Sequence, residues 1–405
     1  MRVLFVSQLF DPENAIKGAA FVRQLQDLGH VVEVITTFPS YPGGRIFNGY
    51  EQCWRSVEEM AGVRVVRVPS FISHGQSAIK RLLSYGSFAL SAAWYALFSA
   101  KRPDVIYAYY PPVMVGLMAL VVGWVRRVPY VYDVQDLWPE ALVATGHVRA
   151  DGQLVKWVER LCGLVYRRAA RVVVLSQGYR DSLIRKGVDA DKVVCIYNWC
   201  DESRMSAAAE VPSVWCKVPG TFRVLYAGNL GAAQALSHVV DAAALLQASG
   251  DTRIQIVFLG AGVDQEALQS RATSLSNVTF LPQVKVDDVG GYLKASDVLL
   301  VHLADDPVFD ITIPQKTQAY LMAGKPILMA VRGESGALVS AAGAGMVVPS
   351  ENAVAMAEAM RALASKTADE LLAMGQRGFD FYNENMSMAK GVRQIEKLLS
   401  EVVTK

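Results

Sequence analysis

Three stretches of the chain carry residue types that could hold an anion or handle protons. In Ile313-Pro314-Gln315-Lys316-Thr317-Gln318, Pro314 fits a helix start, Lys316 lies in the first turn, and Gly324 with Pro326 ends the helix before a strand. The dipole at a helix N-terminus repels a lysine, so an anion beside Lys316 accounts for its place; bonding a carbonyl or facing solvent is the other reading. In Gly228-Asn229-Leu230-Gly231-Ala232-Ala233-Gln234, a strand runs into a glycine loop and then a helix from about Leu236. Free N–H groups and a positive dipole end there suit a phosphate, though such a turn can be merely structural. Gly260-Ala261-Gly262 closes a second strand, permitting close backbone approach to a ligand or simply a tight turn. Finally, Asp133-Val134-Gln135-Asp136-Leu137-Trp138-Pro139-Glu140 follows a buried strand. Carboxylates at that place can orient hydroxyls, accept a proton or offset positive charge, unless Asp136 or Glu140 caps a helix.

The elements that must position these groups are legible as alternation. Apolar, β-rich runs at 3–6, 31–35, 63–68, 105–109, 130–132, 172–175 and 193–197 are separated by helical segments such as 21–28, the signature of a parallel sheet with helical crossovers. Periodicity lapses over 202–219 and restarts at 222–226, continuing through 254–259, 278–281, 298–302, 326–330 and 346–348 before long C-terminal helices. Two doubly wound α/β domains of Rossmann type are therefore expected, 1–203 and 204–386, with the last helix, 387–405, returning to the first. Such sheets bind ligands at the carboxyl ends of their strands, which makes the cleft between the domains the expected active site. No GxGxxG dinucleotide fingerprint occurs at either opening strand.

Composition narrows the class. Over 405 residues the chain is 52% hydrophobic and 19% charged, ample for two cores. The five cysteines, Cys53, Cys162, Cys195, Cys200 and Cys216, lack CxxC spacing and leave one over, which fits reduced cytosolic thiols. The opening residues read as a strand rather than an export signal. No window supplies the ~20 apolar residues of a membrane span; 113–125 comes nearest and reads as a buried core helix. Net charge of +2 divides into +7 for residues 1–200 and −5 for the remainder. The basic pairs Lys80-Arg81, Lys101-Arg102, Arg126-Arg127 and Arg167-Arg168 suit an anionic membrane surface or a pyrophosphate-bearing acceptor, or are solvated caps. Nucleic-acid binding lacks a basic domain and a reader motif. Asp189-Ala190-Asp191 has the shape of a metal-binding DxD but reads as a polar turn.

Nearly the whole chain resembles the GT-B fold glycosyltransferases of family 4, and within them bacterial L-fucosamine (N-acetyl-L-fucosamine) transferases of O-antigen assembly. The resemblance rests on Phe38-Pro39-Ser40-Tyr41-Pro42-Gly43-Gly44-Arg45, the Asp133 to Glu140 string, Asn198-Trp199, Tyr226-Ala227-Gly228-Asn229-Leu230-Gly231 and Ile313-Pro314-Gln315-Lys316-Thr317-Gln318. It implies a UDP-sugar donor as co-substrate, no cofactor or metal, and retention at the anomeric carbon. Donor contacts would come from Gly18, Gly228, Asn229, Gly231, Gly262, Gln283, Pro314, Gln315, Lys316 and Thr317. Acceptor contacts would come from Asp133, Asp136, Trp138 and Glu140, with Asp136, Glu140 and Lys316 catalytic. Many members carry an arginine where this chain has Asn229, a lysine at Gln234 and glutamates at Ile311 and Ala319, which moves the phosphate contact onto Lys316 and the Gly228 backbone.

The expected partners are an undecaprenyl-pyrophosphate-linked saccharide and an anionic membrane surface, and the expected location is the cytoplasm, peripheral at the inner face of the inner membrane. Helix 82–98, with Tyr85, Phe88, Trp94, Tyr95 and Phe98, favours a lipid-linked acceptor, although a helix apolar all round is more often buried. The alternatives are a UDP-amino-sugar epimerase of similar fold and a non-catalytic nucleotide-sugar subunit, the latter suggested by the absent glutamate pair.

Overall fold

The computed structural model describes residues 1–41, 43–72, 78–110, 113–140, 152–206, 215 and 220–404. Pro42, Cys216 and most of the 202–219 lapse fall outside these. The chain divides into two compact units, Met1–Tyr197 with Gly391–Lys405, and Asn198–Lys390. These boundaries lie within a few residues of the 203/204 and 386/387 breaks that the sequence suggests.

In the first unit, strands β1 (Arg2–Ser7), β2 (Val31–Thr36), β3 (Ser56–Met60), β4 (Val63–Arg67), β5 (Val105–Tyr110), β6 (Tyr130–Val134), β7 (Arg171–Val174) and β8 (Val193–Cys195) form one sheet in the order β3-β4-β2-β1-β5-β6-β7-β8. All pair in parallel except β3, which lies antiparallel on β4. The second unit carries β9 (Phe222–Ala227), β10 (Ile254–Leu259), β11 (Val278–Leu281), β12 (Val298–His302), β13 (Ile327–Ala330) and β14 (Gly345–Val347), in the order β11-β10-β9-β12-β13-β14. Strand order reverses between β1 and β5 in one unit and between β9 and β12 in the other, and the loops leaving those strands diverge into a crevice. The near-continuous Val, Ile and Leu runs follow from burial on both sheet faces.

Two expectations change. β3 has no apolar run to announce it: Ser56-Val57-Glu58-Glu59-Met60 alternates half-buried and exposed positions on the sheet edge. A two-residue turn at Ala61 (φ 51°) and Gly62 (φ 80°) sets its register, as left-handed hairpin turns do, and its glutamates blunt the edge. Residues 113–125 form α3 (Met114–Arg126) beside α2 (Ala78–Phe98), but α3 is buried on one face only. Val115, Met118, Ala119 and Val122 enter the core, whereas Val121, Trp124 and Val125 are exposed. α2 divides likewise, burying Phe88, Ala92 and Ala96 and exposing Leu90, Trp94 and Phe98.

The hairpin is tied down by Arg67, whose side chain is fully buried. Its Nε donates to Glu58 Oε1 at 2.5 Å, Nη1 to the Thr37 carbonyl at 2.7 Å, and Nη2 to the Asp11 carbonyl at 2.6 Å. Arg67→Met keeps the volume and strands all three acceptors, so urea unfolding at pH 7 should show a loss of about 3 to 5 kcal/mol. A loss under ~1 kcal/mol would show the network to be dispensable.

Candidate functional site

In the second unit the site is built at the carboxyl ends of β9, β10 and β11. Gly228 follows β9 at φ 149° and Gly260 follows β10 at φ 146°, conformations that side-chain-bearing residues avoid. The two loops are zipped together: Gly228 N donates to Leu259 O at 2.9 Å, and Leu230 N to Ala261 O at 2.9 Å. A Cβ at Gly260 would lie 2.0 Å from the Gly228 carbonyl oxygen, and one at Gly262 would lie 2.2 Å from that of Leu230. Gly260 and Gly262 are thus glycines because backbone meets backbone. The zipping also corrects the expectation for Gly228: its amide and that of Leu230 are already spent. Within the loop the Asn229 and Gly231 amides have no backbone partner among the described residues. Nor does the loop feed a helix directly, since a 3-10 turn at Ala232–Gln234 intervenes before the helix Ser237–Ala248.

Beside this loop lies a recess of about 340 Å³, lined among others by Gly228, Asn229, Gly260, Ala261 and Gln283. The expected donor contacts Gly228, Asn229 and Gln283 therefore share one cavity. Gly231 packs against Asn229, whose Nδ2 donates to Gln234 Oε1 at 3.1 Å. The two positions at which the resemblance leads to cations hold a neutral pair bonded to each other.

Lys316 reaches the same loop from the helix Gln315–Met322, with Pro314 in extended conformation as its N-cap. Gln315 is exposed and Thr317 buried. Lys316 Nζ is buried, has no hydrogen-bond partner among the described residues, and stands 3.8 Å from the centroid of the Tyr226 ring. A Cβ at Gly228 would come within 3.0 Å of it. Burial pushes its pKa down to about 7. The aromatic face offsets part of the desolvation, which still disfavours the charged form because no acceptor stands beside Nζ among the described residues.

Sequence reasoning passed over the groups that hold this arrangement. Tyr226 OH donates to the Asn229 carbonyl at 2.7 Å, and Ala227 N donates to Tyr320 OH at 2.9 Å. His302, at the end of β12, is buried between the Gln234 carbonyl (2.7 Å from Nδ1) and the Glu351 amide (3.2 Å from Nε2). Burial lowers its pKa to about 4, so it is neutral, with Nδ1 donating and Nε2 accepting. Tyr226 and His302 near the ends of apolar strand runs were the available signals, whereas Tyr320, inside its helix, offered none.

In the first unit Asp133 is not the ligand-facing carboxylate the sequence suggested. It is buried and paired with the equally buried Lys17, accepts from Tyr107 OH at 2.5 Å on Oδ2, and from Gln135 Nε2 at 2.6 Å on Oδ1. With both oxygens engaged it anchors the loop after β1 to β6 rather than presenting an open acceptor. Gly18 is explained locally too: Asp11 Oδ2 accepts from Ala19 N at 2.7 Å at the start of α1 (Ala19–Asp27), and a Cβ on Gly18 would stand 2.2 Å from that oxygen. The helix end that could have met an anion already holds a carboxylate. Glu13, also missed, is buried and takes the Ser40 and Tyr41 amides on Oε1 at 2.7 Å each, so it fixes those two residues. Burial raises its carboxyl pKa against the lowering effect of those amides.

Asp136, Trp138 and Glu140 do share one segment after β6. Asp136 is exposed, and its carboxyl is raised by partial desolvation, a shift with little energetic weight for a group that meets solvent. Trp138 is half-buried, its ring 6.5 Å from that of Tyr85. Glu140 pairs with Lys186 through Oε1. The helix turn that the capping alternative requires falls in 141–150, outside the described residues. Asp189 and Asp191 are exposed and only cap a short 3-10 turn, Asp189 Oδ1 accepting from Asp191 N at 3.0 Å.

Two parallel α/β units, the second with a desolvated lysine at its switch point, define a two-domain enzyme of the nucleotide-sugar type of architecture. Residues 19–199 match a family model described as a glycosyl transferase 4-like domain, and residues 221–366 match one described as glycosyl transferases group 1. The chain belongs to these glycosyltransferases and has their GT-B fold. It is similar to the putative colanic acid biosynthesis glycosyl transferase WcaI of Escherichia coli K12, with 29% identity over 80% of this chain and 82% of the relative. The probable glycosyltransferase WbjE of Pseudomonas aeruginosa is 24% identical over 79% of this chain and 82% of its own length. Among solved structures, Anabaena Alr3699/HepE in complex with UDP superposes with a TM-score of 0.69 at 16% identity, covering 99% of this chain and 100% of that one. An Escherichia coli structure in the trehalose-6-phosphate class, bound with UDP-2-fluoro glucose, gives a TM-score of 0.72 at 10% identity over 100% and 99% of the two chains.

Burial lowers the Lys316 pKa to about 7 from its ordinary 10.5, so between those pH values the unfolded chain binds the extra proton and stability rises with pH. Lys316→Met should therefore stabilise the ligand-free protein by about 1 to 3 kcal/mol near pH 7, the gain fading toward pH 10. Denaturant unfolding at several pH values checks this. A lysine with a structural role would give a loss instead.

Proposed function

We propose that the enzyme transfers a sugar, in the best reading N-acetyl-L-fucosamine or a similar deoxyamino sugar, from its UDP conjugate to a lipid-linked saccharide in surface-polysaccharide assembly. The observation that carries the donor half is Lys316: a buried ammonium without an acceptor, beside a glycine loop whose Asn229 and Gly231 amides are free among the described residues. The UDP in the HepE complex and the UDP sugar in the trehalose-class structure support a uridine nucleotide. WcaI and WbjE, by their names, support polysaccharide assembly and glycosyl transfer.

In this reading the bond from the anomeric carbon to the diphosphate oxygen breaks as an acceptor hydroxyl attacks that carbon from the same face and passes its proton to the departing oxygen. The departing oxygen gains charge, and Lys316 with the two amides stabilises it. No metal is required because the lysine supplies the positive charge. Asp136, Trp138 and Glu140 bind the acceptor or the transferred sugar, and the configuration at the anomeric carbon is retained.

Lys316→Ala should lose roughly 30- to 1000-fold in transfer rate, corresponding to about 2 to 4 kcal/mol of transition-state stabilisation. Near-wild-type rate and UDP affinity in that variant would sink the donor assignment. Because an anion binds the protonated lysine, UDP affinity should fall as pH rises above about 7, by up to about tenfold per pH unit. Titration calorimetry at pH 8 in buffers of different ionisation enthalpy should show proton uptake that Lys316→Met abolishes. Asp136→Asn and Glu140→Gln should each slow transfer; full rates in both would remove these carboxylates from the site. A thermal-shift panel of UDP-sugars, with transfer to a lipid-pyrophosphate sugar, identifies the donor.

A further inference from the structure

The first unit leaves a large apolar surface uncovered. On α2, Leu90, Trp94 and Phe98 follow one another at four-residue spacing, a single stripe, and are 75%, 55% and 69% exposed. On the neighbouring α3, Val121, Trp124 and Val125 form a second stripe, with Trp124 79% exposed. Trp54 joins the first stripe, its ring 6.5 Å from Trp94, which in turn lies 4.7 Å from Phe98. A recess of about 360 Å³ between the two tryptophans, lined also by Arg55, Ser91 and Tyr95, opens within this surface. A cluster of Trp54, Trp94 and Phe98, with Trp124 exposed on the helix packed against α2, exceeds the scattered apolar residues every surface carries.

Charge decides what covers it. From Ala78 to Pro103 and from Val113 to Tyr132 there is no Asp or Glu, whereas Lys80, Arg81, Lys101, Arg102, Arg126 and Arg127 all fall in those stretches. Four of the six gather at the C-terminal ends of the stripes. Arg126 Nη1 donates to the Ala96 and Ala100 carbonyls of the α2 end, at 2.5 and 3.0 Å, and Arg102 Nη2 to the Arg127 carbonyl at 3.2 Å. Exposed aromatic rings and cations carried by two helical stretches that hold no acid match the interface of an anionic bilayer: indole rings favour the headgroup level and cations the lipid phosphates. Among the described residues no helix is long and apolar enough to cross a membrane.

We propose that the exposed faces of α2 and α3, with Trp54, are the surface by which this enzyme docks on an anionic lipid bilayer. The proposal deepens the lipid-linked acceptor reading and shares its premise that the acceptor lies in a membrane, but it is read without donor or acceptor. Sedimentation with vesicles of phosphatidylcholine and phosphatidylglycerol should pull down the protein at low salt. Binding should weaken at high salt and on pure phosphatidylcholine.

The triple variant Trp94→Ser, Phe98→Ser, Trp124→Ser changes only exposed positions. It should keep its Tm and UDP affinity while vesicle partition falls about tenfold or more. The double variant Lys101→Glu, Arg127→Glu should lose at least about tenfold on anionic vesicles only. Unchanged partition in both variants, or wild-type protein that ignores anionic vesicles at low salt, overturns the proposal. So does a concentration-dependent dimer, seen by sedimentation velocity, that the triple variant abolishes, since the surface would then belong to a second copy. Vesicle binding that behaves as expected in a protein without UDP affinity would leave this surface standing and remove the transfer reading instead.

Discussion

An ammonium taken out of water without an acceptor is costly, and the second unit is arranged around one. Lys316 is held there by the start of its helix and by the Tyr226 face, while Gly228 leaves just the space its Nζ occupies. That space exists only because Gly260 and Gly262 let the β10 loop lie directly on the β9 loop, backbone against backbone. Tyr226, Tyr320 and His302 then pin the loop through carbonyls and amides. These hydrogen bonds run between neutral groups of the loop, so beyond the Tyr226 face nothing among the described residues relieves the lysine. The unfavourable desolvation that results is what an anionic ligand would recover on binding.

The first unit shows the opposite treatment of the same residue types. Lys17 and Asp133 are equally buried, yet they meet each other, and Tyr107 and Gln135 complete the carboxylate's hydrogen bonds. A satisfied buried pair rigidifies; an unsatisfied buried cation waits for a partner. Distinguishing the two needs the partner inventory of each charge. In the same way Asn229 and Gln234 replace charge with a mutual hydrogen bond, which leaves Lys316 as the cation at that loop.

The surface follows a parallel logic at larger scale. α2 and α3 each bury one side against the sheet, and their outer sides keep aromatic and aliphatic residues where solvent alone would favour polar ones. Within the stretches 78–103 and 113–132 the cations have no acid beside them; Asp104, the next residue on, takes the Arg2 amide on its carboxylate. Basic residues thus gather on the unit that exposes the aromatic stripes, while the unit that carries Lys316 belongs to the acidic half.

Alternation of short apolar runs with helices was enough to fix thirteen of the strands to within a residue or two, because parallel strands buried on both faces must be apolar and their crossovers must be helical. Edge strand β3 escaped, since an edge tolerates charge and its register comes from a left-handed two-residue turn. The helix at Pro314 and the place of Lys316 in its first turn were legible, because local propensity and the dipole act within a few residues. Which carboxylates remain open to a ligand was not. Asp133 and Asp136 stand three positions apart in one motif, and only the long-range approach of Lys17 and Tyr107 encloses the first and leaves the second in solvent. Whether Gly262 meets a ligand or Leu230, whether Asp11 or an anion takes the α1 end, and which faces of α2 and α3 stay uncovered likewise depend on contacts between residues far apart in the chain, which only the folded sheets bring together.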